Sequence, residues 1–311
     1  MNRFALLCPG QGAQTAQMFD MANTNATAAE WLQLSLDKSI DGKRLADVLA
    51  TPGLLFENLY AQTLIVTATL ANWLALREHL PQADLVAGYS IGEFAAHAVS
   101  GSLDVDVVLA LATSRAAMMQ ACITKPQGML AVSGIPLDKI AEVAQQHQLH
   151  IAIVTAANKV IVAGLSDDIA EAASLFLRLP GQDVNLTEIA VHVASHTPLM
   201  QPAQQVLSTA LDVTAFRDNA VPVLAGVNAE KVCTGAQIRS SLLAQLSNTI
   251  HWDACMDAIA ENNISFALEL GPGSALSAML RARHPHIVCR SVADFRSLDG
   301  VIKWVQRQYE S

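Results

Sequence analysis

The stretch that decides the fold is residues 85–93, Leu-Val-Ala-Gly-Tyr-Ser-Ile-Gly-Glu, in which a short apolar run enters a G-x-S-x-G turn. The run predicts a buried strand, and the apolar-rich segment 91–99 that follows predicts a helix. A serine on so tight a strand-to-helix turn is pushed outward, because only small neighbours let the backbone turn there. The helix N-terminus behind Ser90 also offers free N–H groups and a positive dipole to a developing oxyanion. The stretch therefore predicts Ser90 as a nucleophile, the alternative being a glycine-rich turn with an incidental serine.

Short apolar runs alternate with helical patterns on both sides of this turn. Before it, residues 4–8 predict a strand and 62–79 a helix; after it, Asp104 is expected to cap a helix that runs to about residue 122. The C-terminal part resumes the alternation, with predicted strands at 221–227, 265–270 and 287–292 and predicted helices at 237–246, 252–261, 274–283 and 298–309. This order of elements implies an α/β fold with a parallel sheet covered on both faces.

The middle of the chain has a different pattern. Its predicted elements are strand 129–132, helix 137–147, strands 150–155 and 160–163, helix 167–179 and strand 188–193. The order β-α-β-β-α-β is the ferredoxin-like arrangement. We therefore predict a small ferredoxin-like domain at 126–193, inserted into a larger α/β domain formed by 1–125 and 194–311. Ser166 or Asp167 is expected to cap its second helix, and residues 126–128 (Pro-Gln-Gly) to form a hinge.

Composition narrows the class of protein. The 311 residues are 52% hydrophobic and only 15% charged, which excludes a disordered or fibrous chain. A net charge of −9 argues against a nucleic-acid partner. No uninterrupted apolar run approaches the roughly 18 residues of a membrane span, so no membrane partner is expected. Five scattered cysteines without a C-x-x-C pair favour reduced thiols in a cytoplasmic protein over a disulfide framework or a zinc site.

A nucleophilic serine needs a base, and the chain has nine histidines. His97 lies one to two turns into the helix after Ser90 and is too far along it to reach back. His196 follows an apolar run that ends in a predicted strand and precedes Pro198, where a helix is expected to begin. Strand ends in parallel sheets are where active-site side chains gather, which favours His196 as the base. A capping or packing histidine is the alternative of similar weight. Four further histidines lie in polar stretches and are expected at the surface: His147, His150, His284 and His286.

Arg115 is the charged residue that bears most directly on the kind of substrate. Its helical neighbours at three and four residues' distance are all apolar, so no acidic partner is available on its own helix face: Leu111, Ala112, Met118 and Met119. A guanidinium on a buried face must find an anion, because leaving it desolvated and unpaired is costly. Arg115 is therefore either a fork for a substrate carboxylate or a side chain that snorkels or pairs with a distant acid.

The glycines of residues 10–12 (Gly-Gln-Gly) follow the first predicted strand. The dinucleotide-binding fingerprint fails there, since Thr15 stands where its third glycine belongs, and no phosphate-binding G-x-x-x-x-G-K-[ST] run exists. The glycines either form a simple turn or let the main-chain N–H of Gln11 approach a reacting carbonyl as a second oxyanion donor.

Together these segments resemble the malonyl-CoA:acyl-carrier-protein transacylase family over nearly the whole chain. Residues 9–14 (Pro-Gly-Gln-Gly-Ala-Gln) resemble its opening P-G-Q-G-[SA]-Q, and 88–93 its G-H-S-[LIV]-G-E. Arg115 falls 25 residues after Ser90, where the family keeps a carboxylate-binding arginine. The remaining matching blocks are 193–200, 245–252 and 269–273.

The resemblance implies an α/β-hydrolase-like domain with a ferredoxin-like insert. It also implies that Ser90 is the nucleophile, that His196 is the base and that the N–H groups of Gln11 and Ile91 form the oxyanion hole. Arg115 would bind the malonyl carboxylate. No acidic third member is implied, because the family orients its histidine through a main-chain carbonyl near the segment aligned with 248–251.

Two residues depart from the family pattern and bear on substrate binding. Tyr89 replaces the usual histidine before the nucleophile, and His251 stands where glutamine is common. The first departure bears on the pocket wall and hence on acyl preference. The pairing of 88–93 with 193–198 also resembles the acyltransferase (epsilon) subunit of malonate decarboxylase. Free-standing polyketide acyltransferases are a third relative.

The implied partners are malonyl-CoA and an acyl carrier protein, and no cofactor is expected because acyl-CoA is a substrate. Because such carriers are generally acidic, four basic residues are candidates for a docking patch: Lys125, Lys159, Arg281 and Arg283. Two alternatives remain open at this point, a serine esterase or thioesterase and a non-catalytic carrier-docking protein.

Overall fold

The computed structural model describes residues 2–179 and 183–310. Within these residues the strands, β1 to β13 in chain order, are Arg3–Cys8, Ser39–Ile40, Lys43–Arg44, Leu85–Gly88, Gln127–Ser133, His150–Ala156, Lys159–Leu165, Asn185–Ile189, Val223–Leu224, Lys231–Val232, Ile250–His251, Ile264–Glu269 and Val288–Ser291. The α-helices, α1 to α12, are Ala26–Leu36, Leu45–Leu49, Asn58–Leu76, Gly92–Val99, Val105–Ala121, Leu137–Gln146, Ser166–Phe176, Gln201–Asp212, Gly235–Ser247, Trp252–Glu261, Ala275–Arg283 and Leu298–Glu310.

A six-stranded sheet forms the centre of the larger part, in the order β10-β9-β4-β1-β12-β13. Every pairing in it is parallel except that of β10 with β9. β1 lies between β4 and β12, so the loops that follow these three strands meet at one edge of the sheet, where ligands of open α/β sheets bind. The sheet thereby brings the Ser90 turn next to the loop that contains Gln11.

The middle of the chain builds a second sheet, in the order β11-β6-β7-β5-β8. Its strands β5 to β8 pair antiparallel, and helices α6 and α7 pack against them. The observed order of elements is the predicted β-α-β-β-α-β, which confirms the predicted fold class, a parallel α/β domain with a ferredoxin-like small sheet. The domain bounds 126–193 stay a prediction. β11 comes from the C-terminal part of the chain and pairs parallel with β6, which ties the second sheet to the first.

Two predicted strands are wrong in extent. The strand expected at 188–193 is Asn185–Ile189, because Val191 and Val193 leave the small sheet and pack into the main core instead. The strand expected at 221–227 is reduced to Val223–Leu224. Alternating or continuous apolar residues mark burial, and burial at the junction between two sheets does not require strand pairing.

The predicted helix caps are also wrong. Asp104 occupies the residue before α5, but its carboxylate accepts from Arg217 Nη2 at 2.7 Å rather than from the helix. α7 begins at Ser166 itself, preceded by Leu165, and no side chain caps it. The partner of Asp104 at the start of α5 is Arg217, which lies 113 residues away, so the local sequence around Asp104 does not reveal it.

Helix α3 is by length and composition able to cross a membrane, with a mean hydropathy of 1.3. Polar Thr, Gln and Asn side chains interrupt its apolar run, which is why the sequence does not display it. In the fold, 89% of its span is buried inside the protein, and its main neighbour is α5. This buried helix also carries Gln62, whose side chain contacts Arg115.

Candidate active site

Ser90 lies on a sharp turn between β4 and α4. Its φ is +55°, in the left-handed region that non-glycine residues rarely adopt, and such strain is typical of functional sites. The turn packs directly on the β1 loop, since a Cβ on Gly92 would lie 2.1 Å from the carbonyl oxygen of Cys8. Glycine at this position is thus required for the close approach that presents Ser90 at the sheet edge.

The serine hydroxyl is hydrogen bonded to His196, with 2.7 Å between Ser90 Oγ and His196 Nε2. The other ring nitrogen, Nδ1, is hydrogen bonded to the main-chain carbonyl of Gln245. Because a carbonyl oxygen only accepts, Nδ1 carries the proton, and Nε2 presents its lone pair to the serine hydroxyl. This tautomer is the one that a general base requires.

The orienting carbonyl belongs to the last turn of α9. Carbonyl groups there have no intrahelical partner, and Gln245 and Leu246 instead accept from His196, through its ring Nδ1–H and its main-chain N–H. The negative end of the helix dipole also favours the imidazolium that forms during proton transfer. The orienting group is thus a main-chain carbonyl, as the resemblance implies, and it lies three residues before the segment 248–251, at the end of α9.

Two main-chain N–H groups border the serine. Gly10 packs against the turn, since a Cβ on it would lie 3.6 Å from the Cβ of Ser90, and Gln11 follows directly. Among the described residues, neither the N–H of Gln11 nor that of Ile91 donates to a protein acceptor. Both groups thus lack a protein acceptor within the described ranges, and their role as oxyanion donors stays a prediction.

Arg115 is buried, with 1% of its surface exposed. Its Nη1 donates to Gln62 Oε1, its Nη2 donates to Gln245 Oε1 at 3.2 Å, and the guanidinium lies 5.7 Å from the ring centre of Phe94. Gln245 Nε2 donates in turn to the carbonyl of Ser90 at 3.2 Å, so a single amide joins the guanidinium to the nucleophile turn. Arg115 Nε has no hydrogen-bond partner among the described residues.

Burial lowers the pKa of Arg115 to about 9, with the charge of Glu93 acting in the opposite direction, so the side chain is a cation at neutral pH. No carboxylate lies within ion-pair distance of it in the described residues. A buried cation whose protein partners are two neutral amides is a site prepared for an anion from outside.

Sequence reasoning missed three residues that contact or balance this cation: Gln62, Glu93 and Gln245. Glu93 accepts from Ser241 Oγ and from the main-chain N–H of Gly226, and its burial raises its pKa to about 7 despite these hydrogen bonds. Glu93 and Gln245 stand in the 88–93 and 245–252 blocks, which assigned no role to either side chain, whereas Gln62 carried no local signal.

The structure brings Tyr89 to the site but does not connect His251 to it. The Tyr89 ring packs edge to face on Trp252, 5.3 Å between centres, and burial raises the pKa of its phenol. His251 is exposed on β11, and no hydrogen bond joins its imidazole to another described residue. The substrate-binding role of both residues stays a prediction.

Two of the four docking candidates are engaged elsewhere. Arg283 forms a bidentate pair with Asp257, at 2.6 and 2.5 Å, and Arg281 donates to the carbonyl of Cys289 at 2.5 Å. Both lie in the last turn of α11 and are held by these partners, and their part in carrier docking stays a prediction. Lys125 and Lys159 are exposed and stay candidates.

Replacing His196 by alanine is expected to slow acylation of Ser90 by about 10²–10⁴-fold, because a serine hydroxyl without its base is a poor nucleophile. Single-turnover kinetics with an acyl-CoA thioester would measure this rate. His79→Ala, at an exposed histidine just after α3, is the matched control and should stay within about twofold of wild type. A crippled His251 variant beside a mild His196 variant would move the base to the C-terminal segment.

The pH dependence of acylation is expected to lack the usual imidazole limb. Burial first, and the Arg115 charge second, lower the pKa of His196 to about 3, so the neutral base persists as the pH falls and is lost only below pH 5. An unperturbed imidazole would lose about 25-fold in neutral fraction between pH 7 and pH 5. Because Glu93 titrates near 7, kcat/KM should be compared in wild type and Glu93→Gln. A limb near pH 6.5 in both proteins would contradict the buried neutral histidine.

Comparison with known proteins agrees with this geometry. The model of the acyl transferase domain family matches residues 5–293. The malonyl CoA-acyl carrier protein transacylase of Mycobacterium tuberculosis is 31% identical over 309 residues, covering 95% of this chain and 98% of that protein. The protein of the same name from Haemophilus influenzae is 26% identical over 97% of this chain and 98% of its own length. The crystal structure of FabD from Acinetobacter baumannii aligns with a TM-score of 0.89 at 26% identity, covering 98% of this chain and 99% of that one.

Proposed function

This chain belongs to the acyl transferase domain family, and on that premise we propose that it is an [acyl-carrier-protein] S-malonyltransferase. It would move a malonyl group from malonyl-CoA to the pantetheine-type thiol of an acyl carrier protein. The relatives described above are named for that reaction, and their similarity covers nearly the whole length of this chain.

The observation that carries the proposal is the buried guanidinium beside the nucleophile. Arg115 is joined to the Ser90 turn through the amide of Gln245 and has N–H groups left over after its two amide partners. A malonyl thioester has a carboxylate one carbon from the reacting carbonyl, so an anion site next to a serine nucleophile fits it. A serine esterase for neutral acyl groups has no reason to bury such a cation.

The geometry supports a two-step transfer. In the first step Ser90 Oγ attacks the thioester carbonyl while its proton passes to His196 Nε2. The N–H groups of Gln11 and Ile91 would hold the oxyanion, and the carbon–sulfur bond then breaks as His196 returns the proton to the departing CoA sulfur. In the second step the carrier thiol, deprotonated by His196, attacks the malonyl-serine ester and Ser90 regains its proton.

The long arms of CoA and of the carrier need a route to Ser90. A cleft of about 460 Å³ opens onto His196, and its other walls come from α6, the start of β6 and residues 247–249. The small sheet and the segments around His196 and the end of α9 therefore both line this cleft.

For the identity of the carrier we keep two alternatives. The pairing of Tyr89 with the His196 segment favours the epsilon subunit of malonate decarboxylase, whose carrier has a CoA-like arm, and a fatty-acid or polyketide carrier is the alternative. We propose a cytoplasmic location, which the five free cysteines support.

Intact-protein mass spectrometry after mixing with malonyl-, methylmalonyl- and acetyl-CoA tests the function. We expect a malonyl adduct within seconds, little acetyl adduct, and loss of the malonyl adduct when a holo carrier is added. An adduct that water removes as fast as a carrier does would favour a thioesterase. The absence of any adduct would favour a non-catalytic docking protein.

A further inference from the structure

Two sequence blocks, 9–14 and 269–273, contain residues that have no part in the reaction above. In the fold, the first block forms the loop that carries Gln11, and the second block packs against that loop. Gln14 is buried, with 3% of its surface exposed, and its amide binds on two sides. Its Oε1 accepts from the main-chain N–H of Gly12 at 2.6 Å, and its Nε2 donates to the carbonyl of Leu55 at 3.2 Å.

The second block closes the loop from the opposite side. A Cβ on Gly271 would lie 2.1 Å from Cγ of Pro9, and a Cβ on Gly273 would lie 2.5 Å from Cβ of Ala13. Gly273 also has a φ of +76°, which favours glycine. The loop from Pro9 to Ala13 thus packs closely against Gly271 and Gly273, where a side chain would separate the two segments.

That supporting backbone is itself fixed. Glu269 accepts from the main-chain N–H groups of Leu276 and Ser277 at the start of α11, at 3.3 and 2.8 Å. Asn72 Nδ2 donates to the carbonyl of Leu270 at 2.7 Å. Residues 271–273 are therefore held at both ends by buried side chains.

We propose that Gln14 is a positioning residue for the oxyanion hole. Gly12 has a φ of +131°, a backbone conformation that glycine adopts without steric cost, so Gly12 by itself does little to fix the peptide between Gln11 and Gly12. The Gln14 hydrogen bond to the Gly12 N–H fixes that peptide, while Gly10 rests on the Ser90 turn. The N–H of Gln11 lies between these two contacts and is aimed by them. The inference rests on the oxyanion role of Gln11 in the proposed function.

Gln14→Met keeps the length of the side chain and removes both hydrogen bonds. We expect the rate constant for acylation of Ser90 to fall about 10-fold to 100-fold, since complete loss of one oxyanion donor costs about 10²–10³. KM should stay within about twofold, because the bound ground state makes little use of the oxyanion hole. The loss should be equal for malonyl-CoA and acetyl-CoA, whose reacting carbonyls are alike. Gln14→Glu, which retains the acceptor, should recover part of the rate.

Gln17→Met, in the same loop but exposed, is the matched control. Gly273→Ala presses on Ala13 from the other side and should reproduce the loss, with Gly300→Ala as its control; this pair keeps the test valid should Gln14→Met fail to fold. Each variant should also be assayed with p-nitrophenyl acetate, whose acyl transfer to Ser90 needs the oxyanion hole but no malonyl group. A wild type that reacts with the ester and not with malonyl-CoA overturns the proposed function while the ester still tests Gln14. A folded Gln14→Met with the wild-type rate constant, a raised KM alone, or a loss confined to malonyl-CoA overturns the positioning role.

Discussion

Ser90→Ala is expected to abolish covalent labelling by malonyl-CoA. The hydroxyl is the one atom that the substitution removes, and in the described residues its hydrogen bond is to His196 Nε2. Alanine tolerates the φ of +55° about as well as serine does, so the free energy of unfolding should change by no more than about 1 kcal/mol. Intact-protein mass spectrometry would show the adduct in wild type and none in the variant.

The control for this experiment is Ser174→Ala, an exposed serine on α7. It should label like wild type, and thermal unfolding should show that both variants are folded. A malonylated species that persists in folded Ser90→Ala would place the nucleophile elsewhere and remove the basis of the proposed mechanism.

Arg115→Ala is expected to reverse the preference for malonyl over acetyl groups. A buried charge pair with the malonyl carboxylate is worth on the order of 2–5 kcal/mol, which corresponds to about 30-fold to several-thousand-fold in the ratio of kcat/KM. Acetyl transfer should be kept or increased, because an acetyl group leaves the buried cation unpaired and alanine removes that penalty. The retained acetyl activity serves as the internal control for folding.

Arg115→Lys is expected to recover little of the malonyl activity. The guanidinium reaches Gln62 and Gln245 with two different nitrogens and still has N–H groups for a carboxylate, whereas a single ammonium cannot span both amides and the substrate. The measurement needs only kcat/KM for malonyl-CoA and acetyl-CoA in three proteins. An unchanged ratio in Arg115→Ala would make Arg115 a structural residue and argue against a dicarboxylic acyl thioester.

The sequence by itself determined the elements whose signals are local. The strand, turn and helix around Ser90 follow from three small residues and a short apolar run, and the helix Trp252–Glu261 has the predicted bounds. The burial of Arg115 also follows from its apolar helical neighbours, because side chains three and four residues apart share one face. The order of elements in the small sheet is local information as well.

Tertiary structure alone decided which groups meet. Gln62 and Gln245 lie 53 and 130 residues from Arg115, and although Gln245 begins the 245–252 block, nothing in the sequence places either amide beside the guanidinium. The carbonyl that orients His196 is likewise a main-chain group, identical in chemistry at every residue, and the end of α9 selects it by leaving it without a helical partner. Local periodicity reports which face of an element is buried, but it cannot report which distant groups share that buried space. The Ser90 turn can therefore be predicted from the sequence. Only the fold shows which amides bind Arg115 and which main-chain carbonyl orients His196.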